Sequence, residues 1–449
     1  MLKIKKDFYW GTATSSYQIE GAYDVDGKGI SVWDTFSSKS GKIKNNENGN
    51  IACNHYNLWE KDIELLKNLG VNSYRFSISW PRIFPSITSK NPNLKGIDFY
   101  QRLVDKLLEN DIKPFITLNH WDIPQWIEDI GGWTDRNILN HFLHYSDIAS
   151  RYLGDRVKNW ITHNEPWCIS NNGYLSGVFP PGLKNNGSKY FASIHHLLLS
   201  HGMSIPLIKE NSKNCEVGIT LNLCPSYPAS PSTYDEKASL LFDGKFNRLY
   251  LDPLYKGKYP EDVINKYLQS KLITENDLKV IQQNDLNIIK IKTDFLGVNY
   301  YSRAIIRDDT VSEDKNLDVK IFKGKKTNMG WEIYPTGLYD LLLRLNKEYP
   351  VNKIYITESG CSFDTSPNND GIINDKNRVK YHEEHIKEMK RAIDAGVPCS
   401  GYFAWSLMDN FEWCEGYSQR FGLVWIDYKT LERIPKDSYW WYKKFITKN

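Results

Sequence analysis

Two glutamates, Glu165 and Glu358, each come within two residues of the end of a short apolar, β-rich run, Asn159–His163 and Lys353–Thr357. Breaking a glycosidic bond takes a proton for the departing oxygen and a group to meet the oxocarbenium-like carbon, and two carboxyl groups flanking the bond supply both. A glutamate after one strand is commonly a helix cap or a surface charge, so the wider pattern matters. Gln18 follows the run Phe8–Ala13, Arg75 lies in Ser73–Ile78, and His120 follows Pro114–Leu118. Asn164 adjoins Glu165, Asn222 follows Val217–Leu221, Asn299 and Tyr301 follow Asp294–Val298, and Trp405 ends Gly401–Trp405. Reactive polar residues therefore track strand ends along the chain.

Between these runs lie longer segments with apolar residues spaced by three and four, as in Trp59, Ile63, Leu66 and Leu69, the stripe of an amphipathic helix. Helical patterns also cover Phe99–Leu108, Asn137–Leu153, Lys189–Lys209, Leu338–Glu348, Arg378–Ala395 and Ser438–Ile446. Eight uninterrupted β-then-α units predict a single (β/α)8 TIM barrel over residues 1–449, with 221–294 and 301–336 as elaborated βα loops. A doubly wound open sheet is the rival, but no G-x-G-x-x-G follows the first strand. In a barrel the strand ends converge on one mouth, and strands four and seven lie across it from each other, so Glu165 and Glu358 can flank one bond.

Composition narrows the partners. Lys+Arg 57 against Asp+Glu 54 leaves no cationic field to gather nucleic acid or anionic lipid. The 15 tryptophans fit a large aromatic core and equally fit flat surfaces that stack on sugar rings. No run approaches the roughly 18 apolar residues of a membrane helix, and Met1–Asp7 is basic without an apolar signal core. Seven scattered cysteines without C-x-x-C spacing predict reduced thiols and a cytoplasmic protein. His195, His196 and His201 are read as core or helix-face residues, His382 and His385 as no zinc site, and Cys168 and Cys361 as buried structural thiols.

At the strand ends the sequence resembles the family 1 glycoside hydrolases, the β-glucosidase family. The likeness runs from Phe8 to Asp427 through seven motifs in family order. They begin at Ser16 (Ser-Tyr-Gln-Ile-Glu-Gly), Tyr74 (Tyr-Arg-Phe-Ser-Ile-Ser-Trp-Pro-Arg-Ile), Leu118 (Leu-Asn-His-Trp-Asp-Ile-Pro) and Thr162 (Thr-His-Asn-Glu-Pro-Trp). Gly297 (Gly-Val-Asn-Tyr-Tyr-Ser), Ile356 (Ile-Thr-Glu-Ser-Gly) and Trp405 (Trp-Ser-Leu-Met-Asp-Asn-Phe-Glu-Trp) complete the set.

The resemblance implies a retaining β-glycosidase, a β-glucosidase above all, acting on small β-glucosides or cello-oligosaccharides without cofactor or metal. Glu358 would be the nucleophile and Glu165 the general acid/base, at the ~5–5.5 Å separation of retaining enzymes. Arg75 and Tyr301 would orient Glu358. Gln18, His120, Asn164, Asn299, Glu412 and Trp413 would hold the sugar hydroxyls over a Trp405 platform, with Trp331 walling the aglycone side. A cis peptide between Trp405 and Ser406 is also implied. Ser359 departs from the asparagine usual after the nucleophile and bears on the shape of that loop. The same-class alternative is a 6-phospho-β-glycosidase, disfavoured by a carboxylate at Glu412; the others are an inactive sugar-binding relative and a Schiff-base aldolase, the latter lacking a strand-end lysine.

Overall fold

The computed structural model describes residues 7–308 and 324–448; the first six residues and the middle of the predicted 301–336 loop lie outside them. Eight parallel strands close into a barrel: β1 (Tyr9–Ala13), β2 (Ser73–Ser77), β3 (Lys113–Asn119), β4 (Asn159–Asn164), β5 (Glu216–Asn222), β6 (Phe295–Asn299), β7 (Ile354–Ser359) and β8 (Cys399–Trp405). Each pairs with its neighbours in chain order, and β1 closes the ring against both β2 and β8.

Helices follow the predicted stripes. The first long ones are α1 (His55–Leu69), α2 (Leu94–Glu109), α3 (Ile138–Leu153) and α4 (Gly187–Asn211). Helix α1 buries Trp59, Ile63, Leu66 and Leu69 and stops at Gly70, whose φ of 82° is the left-handed cap that glycine adopts without strain. The segment after β5 carries α5 (Thr233–Asp243), α6 (Leu249–Lys256) and α7 (Glu261–Gln269), so the predicted long loop is largely helical. Helices α8 (Pro335–Glu348), α9 (Lys376–Asp394) and α10 (Asp437–Lys448) complete the outer layer.

Strand side chains alternate between the two faces, and the inward set is layered. Phe115, Phe295, Tyr355 and Phe403 form one aromatic cluster, with Phe115 and Phe403 centroids 4.9 Å apart. Glycine makes room for them: a Cβ on Gly218 would lie 2.3 Å from the Phe295 ring. Further along the strands the inward residues turn polar, and Arg75, Thr117, Thr220, Thr357 and Asn299 bond to one another inside the barrel. The aromatic layer thus plugs the barrel beneath a polar mouth.

Candidate active site at the barrel mouth

Both glutamate-bearing strands are irregular where the glutamates emerge. Between β6 and β7 the register slips, Val298 pairing with Ile356 and Asn299 with Glu358. Between β4 and β5 it slips again, so that Asn164 meets Thr220. Such irregularities re-aim side chains that strict alternation would send to the other face. Glu165 itself has φ 49°, the left-handed region, as the chain turns from β4 into the short helix Pro166–Ser170.

Glu358 is held from two sides. Arg75 Nη1 donates to its Oε1 at 2.6 Å, and the Tyr301 hydroxyl donates to its Oε2 at 2.5 Å. Arg75 is fully buried, and its other nitrogens donate to Thr117 Oγ1 and Asn164 Oδ1. A buried guanidinium so committed holds a neighbouring carboxyl in its charged form. Burial pushes the Glu358 carboxyl up, and Arg75 first, then Tyr301, pulls it back.

Glu165 has no cationic partner among the described residues. Its Oε1 accepts from Asn299 Nδ2 at 2.7 Å and its Oε2 from the Cys168 thiol at 3.0 Å. Burial, and after it the charge of Glu358, pushes Glu165 up to about 7. The larger cause is therefore desolvation rather than the neighbouring carboxylate. The pair is thus unequal: Glu358 bonds a guanidinium that opposes its rise, whereas Glu165 bonds none and is the one placed to carry a proton near neutral pH.

A cavity of about 760 Å³ opens above the pair. Trp405, His120, Glu412 and Trp413 line it, as do the aromatic side chains of Trp331, Phe421, Trp167 and Phe246. The His120 ring lies nearly parallel to both Trp405 and Trp413. Burial keeps His120 neutral, and its buried Nδ1 has no hydrogen-bond partner among the described residues. The Trp405–Ser406 peptide is cis. Trp331, which also lines the cavity, packs against Tyr301 with ring centroids 5.3 Å apart.

Gln18 and Asn164 each bond residues that line the cavity. The Gln18 amide accepts from Ser15 and donates to Asn410 Oδ1 and to the Phe411 carbonyl, bracing the segment that carries Glu412. Asn164 faces His120 Nε2 and accepts from Arg75 and Asn299. Both side chains therefore also have protein partners that fix their orientation. Burial, reinforced by Glu358 and Glu165, pushes Glu412 up to about 8, so at neutral pH it holds a proton and can donate as well as accept.

Sequence reasoning missed Trp121, Trp167, Phe179, Phe246 and Phe421 as cavity residues, since loop aromatics carry no periodicity. It also read Cys168 as structural, whereas its sulfur touches Glu165. The histidines of α4 are core residues as read: His195 bonds Asp285, His196 the Trp133 carbonyl and His201 Thr162. Among the described residues no cluster of three or more potential metal ligands occurs, and no helix is long and apolar enough to cross a membrane.

A sequence profile described as Glycosyl hydrolase family 1 matches residues 2–449. The chain belongs to glycosyl hydrolase family 1. It is similar to Beta-glucosidase A of Acetivibrio thermocellus, 45% identical over 100% of this chain and 99% of that one. A 6-phospho-beta-galactosidase of Clostridium acetobutylicum is 35% identical over 99% of this chain and 97% of its own. Among solved structures, the Thermotoga maritima beta-glucosidase in complex with glucoimidazole superposes with a TM-score of 0.92 at 43% identity, covering 100% of this chain and 99% of that one. Family 1 enzymes are glycoside hydrolases, and the paired carboxyls at this mouth suit that chemistry.

Proposed function

We propose that this chain is a retaining β-glucosidase in which Glu358 is the nucleophile and Glu165 the general acid/base. The observation that carries the reading is the unequal company of the two carboxyls. Glu358 bonds a buried arginine and a tyrosine, whereas Glu165 bonds only an amide and a thiol. Ionised Glu358 attacks the anomeric carbon while Glu165 gives its proton to the departing oxygen. Once Glu358 is esterified its charge is gone, the upward push on Glu165 weakens, and Glu165 takes a proton from the water that releases the sugar. Two inversions return the β configuration.

His120, Glu412, Trp405 and Trp413 form the sugar pocket in this reading, Gln18, Asn164 and Asn299 brace it, and Trp331 walls the aglycone side. The glucoimidazole bound by the Thermotoga relative supports a glucose-shaped pocket. The cavity exceeds a single pyranose, which suits β-glucosides with sizeable aglycones and short cello-oligosaccharides. Residues 1–449 act as one catalytic unit, and the seven free thiols favour a reducing, cytoplasmic setting. The test is hydrolysis of chromogenic β-glucosides, galactosides and fucosides, with NMR of the first-formed sugar. A β-anomer released fastest from the glucoside is expected; an α-anomer would overturn the mechanism.

A further inference from the structure

The thiol of Cys168 occupies a position that the two-carboxylate chemistry does not require. The short helix Pro166–Ser170 begins immediately after Glu165, and its first turn folds Cys168 back so that its N–H donates to the Glu165 carbonyl at 2.9 Å. The same turn brings Sγ to 3.0 Å from Glu165 Oε2, and both residues line the cavity. Asn222 Nδ2 approaches the sulfur at 3.7 Å from the end of β5. The two oxygens have unequal donors, an amide N–H on Oε1 and a weak thiol on Oε2, so the proton to be transferred sits more readily on Oε2.

We propose that Cys168 is a positioning residue that holds Glu165 Oε2 toward the leaving group and sets how readily that oxygen gives up its proton; this rests on Glu165 being the acid/base. A donor to a carboxylate favours its charged form, and a thiol is a weak donor. The sulfur therefore steadies the oxygen while leaving it able to stay protonated near neutral pH. A hydroxyl at the same place would favour the carboxylate more strongly, and a methyl would not favour it at all. Burial, and next the Glu165 charge, push the thiol well up, so it remains an S–H donor rather than a competing anion.

The experiment compares wild type, Cys168→Ala, Cys168→Ser and Glu165→Ala in the pH dependence of kcat/KM. Each is assayed with a dinitrophenyl β-glucoside, which departs without a proton, and with a methyl β-glucoside, which needs one. Losing the S–H donor raises the Glu165 proton affinity, so Cys168→Ala extends the alkaline limb by about half a pH unit. It also lowers kcat/KM about tenfold on the methyl glucoside and by far less on the dinitrophenyl one. Cys168→Ser restores the methyl glucoside rate and brings the limb back to or below the wild-type position. Equal losses on both substrates with an unmoved limb would overturn the proposal, since a packing defect behaves that way. If Glu165→Ala itself retained the alkaline limb and lost equally on both substrates, the acid/base assignment beneath it would be wrong instead.

Discussion

At the scale of single residues, chemistry is divided by company rather than by residue type, since both reacting groups are glutamates. Glu358→Ala should abolish hydrolysis, and added azide or formate should restore turnover with an α-configured product, seen by NMR. Glu165→Ala should lose ~10²–10⁴-fold on poor leaving groups and far less on activated nitrophenyl glucosides. The pH profile of kcat/KM reports the same division. Activity requires Glu165 protonated, so it should fall as pH rises through about 7, where burial has placed that group. Arg75→Met removes the strongest downward pull on Glu358. The Glu358 carboxyl then rises, and the acidic limb should move to higher pH along with a large loss of kcat. An acidic limb unmoved in Arg75→Met would separate that limb from Glu358.

At the scale of elements, the ends of β4 and β7 matter more than their lengths. Regular alternation from Tyr355 and Thr357 would send Glu358 to the opposite face; the slip opposite Asn299 brings it to the mouth. The turn after β7 is packed tightly on β8. A Cβ on Gly360 would lie 1.8 Å from the Trp405 carbonyl oxygen, backbone that cannot yield as a side chain does. Gly360→Ala should therefore force β7 and β8 apart at the site, costing about 1–3 kcal/mol of stability. It should lower kcat/KM at least tenfold, since ångström misplacement of reacting groups costs that much or more. Thermal unfolding and steady-state kinetics read the two effects separately; unchanged kinetics would mean that this contact does not hold the nucleophile in place.

At the scale of the whole molecule, closure brings together residues hundreds of positions apart: β1 lies beside β8, and Gln18 braces the loop that bears Glu412. That closure makes one deep pocket holding Glu165, Glu358 and Glu412. A sugar 6-phosphate should be rejected there, because its charge would meet ionised Glu358 in a desolvated space and Glu412 pairs with no cation among the described residues. Glu412→Ser should weaken glucoside hydrolysis without producing an efficient phospho-glucosidase. The measure is kcat/KM for a nitrophenyl β-glucoside and its 6-phosphate in both proteins. Equal rates for the two substrates in wild type would place the chain's specificity with its phospho-galactosidase relative.

The eight strands, the long helical stripes and the residues at the mouth were legible in the sequence, because burial imposes periods of two and about three and a half on the residue pattern. The two glutamates were legible because each follows a strand end within a motif. Tertiary structure alone decided what surrounds them. The slips at β4 and β7, the Cys168 contact, the protein partners of Gln18 and Asn164, and the burial that pushes the Glu412 carboxyl up all depend on the tertiary structure. Loop aromatics such as Trp167 and Phe246, 4.4 Å apart, meet only after the barrel closes. Local pattern reports which face a residue buries, whereas hydrogen-bond partners and desolvation depend on what the rest of the chain brings to that face.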